Sequence, residues 1–293
     1  MKKLFAFVII TAVSIQLFSQ DYDFKVLANR GENKIKKENG EVITLKSGAK
    51  LTAADKIETS DRVYLGLMHH SGKTIELKEV GTFNVADLLS EVMGKELSTI
   101  GKYAQMISDK MTEGVSQSAK KPGQRSLGAK IEVMLLEDTE VYGNEGVIRW
   151  YTSSPQSGAT YVLEVKDILD DVIFTTETTQ TNYTLNFDEI KSDMGLYIVT
   201  ISKKGDEDFV SGSFPVKKLQ ASELPDMASK LSDIKSGMSS DSPLELLMLA
   251  SFYEENGLFL DALTTYEAAI EMSPDVEDFQ ELYQIFLGNN GLR

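Results

Sequence analysis

The chain has 293 residues, 42% of them hydrophobic, no cysteine, and a formal net charge of −15. Without cysteine there is no thiol nucleophile, no disulfide framework and no lipid-bearing thioether anchor. Charge is placed unevenly: 24–130 holds 18 basic and 13 acidic residues, whereas 131–293 holds 10 and 30, so phosphates would be repelled and no nucleic acid partner is expected for the second half.

In chain order, 1–19 reads as a secretory signal peptide. Lys2 and Lys3 form a cationic head, a mostly apolar stretch runs from Leu4 to Phe18, and Ser19 is the small residue at the cut. That stretch is shorter than the roughly 20 residues a bilayer core requires. No later segment is long and apolar enough to span, so an exported, soluble chain is expected, periplasmic in a cell with two membranes. Its length predicts two to four domains.

Residues 24–83 are β in character, with runs at 24–27, 41–45, 62–68 and 73–77 separated by turn residues. Glu38-Asn39-Gly40 and Ser71-Gly72 have the chemistry of tight hairpins. Residues 84–118 read as helical. Asn84 suits an N-cap, Leu88, Leu89 and Val92 make one apolar face, and Gly94 ends it. Leu97, Ile100, Ala104, Ile107 and Met111 then form the stripe of a second helix. Residues 119–130, with Pro122, read as a linker.

Between 131 and 216 the spacing predicts seven strands, at 131–136, 147–151, 160–166, 172–178, 182–187, 196–202 and 209–214. Alternation places Ile148 with Trp150, and Tyr197 with Val199 and Ile201, on two inner layers of an antiparallel sandwich. Residues 222–288 are helical again. Leu224, Met227, Ala228, Leu231 and Ile234 form one stripe, and Ser242-Pro243-Leu244-Glu245 combines a capping box with proline at the first helical position. Asn256-Gly257 breaks the helix it starts, and Ser273-Pro274 is expected to open the last one. The fold class is multidomain α+β.

Chemistry is sparse in this pattern. His69 and His70 are the only histidines, and strand alternation would turn neighbours to opposite faces, away from a shared metal. Acidic groups at 170–171, 188–189 and 206–208 lack the alternating spacing of a calcium loop and read as solvated hairpin tips. Lys120-Lys121-Pro122-Gly123-Gln124-Arg125 is basic but does not make a phosphate loop. Met93, Met106 and Met111 read as core filler. No catalytic residue, metal ligand or cofactor is expected.

Leu249, Ala250, Tyr253, Gly257, Ala262, Tyr266, Ala269 and Pro274 stand in the order and spacing that resembles a tetratricopeptide repeat, with small residues where helices touch and tyrosines filling the gaps. The resemblance implies that a partner peptide lies against the first helix, at Leu244, Leu247, Met248, Ser251 and Glu254. The same side chains equally suit covering a neighbouring domain. Residues 24–83 resemble a FecR-type domain through 26–31, 45–51, 55–59 and the hairpin around 70–75, which implies an all-β envelope module. Direct control of a sigma factor is not expected, because no membrane helix follows the signal. Residues 131–216 are similar to a fibronectin type III or related immunoglobulin-like domain through 147–150, 161–165 and 195–199, which implies a spacer or docking surface.

These readings converge on a non-enzymatic periplasmic adaptor or scaffold whose partners are other envelope proteins, with an outer-membrane complex among the candidates. The alternatives are a glycan- or peptidoglycan-binding envelope protein and a hydrolase that uses carboxylates alone. Partner identity and oligomeric state are not legible.

Overall fold

The computed structural model describes residues 22–94, 99–113, 131–136, 139–152, 158–192, 194–220, 222–223, 225–236, 238–239 and 241–292. The signal segment, the linker 119–130, and Leu97 and Leu224 of the expected helical stripes lie outside the described residues. The fold is mixed α+β, with several antiparallel sheets and six α-helices among the described residues.

The first β domain contains β1 (Phe24–Arg30), β2 (Lys34–Lys36), β3 (Val42–Thr44), β4 (Lys50–Leu51), β5 (Lys56–Glu58), β6 (Tyr64–His69), β7 (Thr74–Leu77) and β8 (Thr82–Asn84). They pair in two antiparallel sheets of order β4-β1-β6-β7 and β3-β2-β5-β8. Between them lies a core of Phe24, Val26, Leu51, Ile57, Leu65 and Leu67, which α1 (Val85–Gly94) joins with Val85, Leu88 and Val92. The short strands β2, β4, β5 and β8 were too brief to stand out as runs in the sequence. Strand β6 is covered on both faces: Leu65 and Leu67 face this core, while Tyr64 and Met68 enter a second one. An unbroken apolar run from Tyr64 to Met68 is what a two-sided strand requires.

A 3₁₀ turn at Thr99–Gly101 leads into α2 (Lys102–Glu113), whose Tyr103, Ala104 and Ile107 belong to that second core.

The second β domain contains β9 (Ile131–Val133), β10 (Thr139–Val141), β11 (Glu145–Thr152), β12 (Tyr161–Lys166), β13 (Val172–Thr178), β14 (Asn182–Asn186), β15 (Leu196–Lys203), β16 (Asp206–Val210) and β17 (Phe214–Lys218). One sheet has order β14-β11-β9. The other runs β10-β17-β15-β12-β13, with β16 also on β15 and β10 parallel to β17. Trp150, Ile148, Leu163, Tyr197, Val199 and Ile201 fill the space between them, as the alternation required. The Tyr197 hydroxyl reaches the carbonyls of Phe187 and Ile190, pinning the β14–β15 crossing. The single strand expected at 209–214 is instead two. Ile201 N–H donates to the Ser211 hydroxyl while Ser211 N–H donates to the Ile201 carbonyl, so the ladder is interrupted there and resumes at Phe214.

The last four helices are α3 (Pro225–Ser236), α4 (Pro243–Glu255), α5 (Phe259–Met272) and α6 (Glu277–Asn289). Ser242 caps α4 by accepting from Glu245 N–H at 3.1 Å, with Pro243 in the first turn. Gly257, at φ +77°, turns the chain from α4 into α5. The last helix opens later than Ser273-Pro274. Ser273 N–H closes α5 by donating to the Ile270 carbonyl, and α6 starts at Glu277. The helices share one core with Leu27, Ala28, Tyr64 and Met68 of the first β domain and Val147 of the second.

Candidate functional site

The helical region is a joint between the two β domains. Helix α4 faces the first. Gly66 of β6 is the point of closest approach, because a Cβ there would sit 3.3 Å from a methyl of Leu244. Glu76 of β7 stands at the N-terminus of α4, where its Oε1 accepts from the Tyr64 hydroxyl, the Ser242 hydroxyl at 3.0 Å and Leu244 N–H at 3.1 Å. A carboxylate suits that position because the first-turn N–H groups are unsatisfied and carry partial positive charge. Burial, reinforced by Glu76, pushes the Tyr64 hydroxyl pKa well above its ordinary value. Helix α6 adds Phe279, edge-on to Tyr64 with centroids 5.4 Å apart, and Asp278, which accepts from Asn29 N–H at 2.8 Å.

Helix α5 faces the second β domain and is stitched along β11 in register. Asp261 accepts from the N–H groups of Tyr142 (2.8 Å) and Gly143 (2.6 Å). Thr264 accepts from Val147 N–H at 3.0 Å, and Glu267 receives Arg149 in a two-pronged pair at 2.7 and 2.9 Å. The Tyr283 hydroxyl from α6 completes it, donating to Glu267 at 2.7 Å. Asp261, Thr264 and Glu267 lie three residues apart, on one stripe of the helix. Gly146 does here what Gly66 does at the other end, since a Cβ would lie 2.7 Å from a methyl of Leu260, which enters the core of the second β domain. The hydrogen bonds that Arg149 donates to Glu267 hold its pKa above the ordinary value, and burial raises that of Asp261 against the opposing pull of the two N–H groups.

The five residues expected to line a peptide groove sit inside this joint. Leu244, Leu247 and Ser251 are 0% exposed and Met248 is 1% exposed, so their face is already covered by the chain itself. Glu254 is half-buried and pairs with Lys110 of α2 at 2.6 Å, in contact with the Tyr266 hydroxyl. Burial depresses the Lys110 pKa, but Tyr266 and Glu254 outweigh it and leave the net shift upward. An outward-facing peptide site on α4 is therefore corrected to an internal packing surface. Of the repeat-like positions, Leu249, Ala250, Tyr253, Ala262, Tyr266 and Ala269 are buried between helices, Gly257 makes the turn, and Pro274 is exposed in the α5–α6 connection. The signal for this outcome was present: from Leu244 to Tyr253 only Glu245 and Ser251 are polar, and a helix apolar on nearly all sides is mostly buried.

His69 and His70 also depart from expectation. Strand β6 ends at His69, so alternation no longer separates them, and their rings lie 3.9 Å apart. His69 is buried with Nδ1 2.8 Å from the Ser71 hydroxyl. Burial, with His70 adding to it, lowers the His69 pKa. Among the described residues no group of three or more His, Cys, Asp or Glu side chains is placed to hold a metal, and no helix is long and apolar enough to cross a membrane.

Beside the α5 seam lies an open cleft of about 660 Å³. Its floor is the outer face of β11 and β14 (Glu145, Val147, Arg149, Tyr151, Asn182, Thr184), and its wall is α5 and α6, including Glu267, Glu271, Gln280 and Tyr283. Tyr151 is 49% exposed there. Sequence patterning gave no hint of this cleft, because its lining is polar and comes from four elements.

No protein-family model matches the sequence, and no curated protein shows significant similarity to it.

Proposed function

We propose that the chain is a non-enzymatic adaptor of the cell envelope, exported by residues 1–19, in which the C-terminal helices fix two β domains in one rigid arrangement and leave the outer cleft for a partner. The observation that carries this reading is the use made of buried and half-buried ionisable groups. Glu76 with Tyr64, Asp278, Asp261, the Arg149–Glu267–Tyr283 trio and Lys110 with Glu254 each tie one element to another. A group already holding a structural partner at hydrogen-bond distance is poorly placed to exchange protons with a substrate.

The module assignments rest on the same footing. Three strands, β9-β11-β14, facing β13-β12-β15-β17, with a buried tryptophan on β11 and a tyrosine at the start of β15 tethered to the preceding crossing, support the fibronectin-like reading of 131–216. Two small antiparallel sheets over 24–84 suit the FecR-like reading, and the α4–α5 pair suits a single tetratricopeptide-like hairpin. Glycan binding is a second reading, favoured by the exposed Tyr151, since sugar faces stack on open aromatic rings.

The test is photo-crosslinking in intact cells from a reactive residue placed at Gln280 on the cleft wall. A discrete, stoichiometric protein adduct is expected. A chain that forms no adduct from any exposed position and runs as a free monomer would refute the adaptor reading.

A further inference from the structure

We propose that the cleft along β11 binds an extended segment bearing lysine or arginine from the partner protein. This deepens the adaptor reading and rests on it. Glu145, Val147, Arg149 and Tyr151 alternate along one face of β11, about 20 Å from end to end at the rise of a strand, with Val147 tucked beneath α5, Arg149 half-buried and both ends exposed. A surface that long and narrow, walled on one side by α5 and α6, matches an extended chain better than a compact ligand.

The lining specifies charge. Glu267 is already neutralised by Arg149, which it holds in place. Glu145 and Glu271 are exposed and stand near opposite ends of the cleft, because Thr264 meets Val147 and Glu267 meets Arg149, so the next turn of α5 brings Glu271 toward Tyr151. An open tyrosine ring beside a carboxylate is a site for an ammonium or guanidinium group, since the ring face attracts cations and the carboxylate pairs with them. Tyr151 and Glu271, both in the cleft lining, are assigned to one such site, and Glu145 to a second further along. The guanidinium of Arg149 between them has N–H groups not used by Glu267 and suits a backbone carbonyl of the ligand. The surrounding half of the chain, with 10 basic and 30 acidic residues, steers a cationic segment toward the cleft.

The experiment is calorimetric titration of the full processed chain with an acetylated, amidated Ala-Lys-Ala-Lys-Ala-Lys-Ala peptide. Its glutamate counterpart and a chitin-derived tetrasaccharide are run beside it. We expect the lysine peptide alone to bind, with affinity falling about tenfold or more in Glu145→Gln/Glu271→Gln. Tyr151→Ala should cost about two- to fivefold and Tyr151→Phe nothing. Asp170→Asn/Asp171→Asn, on a distant hairpin, should leave binding unchanged. Absence of binding, an equal loss in the distant variant, or preference for the glutamate peptide or the saccharide overturns the assignment. A partner that still crosslinks from Gln280 when the lysine peptide fails to bind leaves the adaptor standing and removes only the cationic segment as the cleft's occupant.

Discussion

Asp261 is nearly stripped of water and accepts from two consecutive backbone N–H groups, of Tyr142 and Gly143, in the turn between β10 and β11. Asparagine can replace only one of those acceptors, which leaves a buried donor unsatisfied. Asp261→Asn is therefore expected to destabilise the chain by about 1–3 kcal/mol, read by denaturant unfolding. The pH dependence has a definite sign. Because burial raises the folded pKa above the ordinary 3.8, the stability Asp261 confers is full below that value and is lost as pH rises through the folded pKa. The variant should lack this component, so its deficit relative to the parent shrinks with rising pH across that window. Roles of this kind were not legible in the sequence. Nothing in Leu260-Asp261-Ala262 separates a surface aspartate from one that closes a turn more than a hundred residues away. The tyrosine and alanine positions around it were legible, since small and aromatic residues at helical spacing report packing directly.

Helix α4 shows how a correct element can leave its role undecided. Its start, its proline and its glycine stop are all visible in the sequence, and the structure places them as expected. The repeat pattern alone left a peptide-facing and a domain-covering role equally open, whereas the stretch from Leu244 to Tyr253, with only Glu245 and Ser251 polar, favours the covered one. Leu247 lies fully buried in the core shared with the first β domain. Leu247→Ala should cost about 2–5 kcal/mol, measured as a lowered thermal midpoint, whereas an outward-facing groove residue would cost little. The strand β6 offered the matching clue from the other side. Its unbroken apolar run announces two covered faces, yet only the arrangement of the helices reveals what covers the second. Strands β4 and β10 were illegible for a simpler reason: two or three residues give no period.

At the scale of the molecule, one core runs from Leu27 and Tyr64 through the helices to Val147, and Leu260 passes from α5 into the core of the second β domain. The joint thus exchanges side chains with both neighbours, which couples their stability. The mixed α+β class was legible from composition and punctuation; the coupling was not, because it depends on contacts such as Asn29 with Asp278 that lie far apart in the chain. The most direct measurement is denaturant unfolding of the full chain, followed at once by Trp150 fluorescence in the second β domain and by hydrogen exchange of β1 and β6 in the first. We expect a single midpoint for both probes, moved by the same amount in Leu247→Ala. Two separated transitions, or a shift confined to the first domain, would contradict a rigid helical joint.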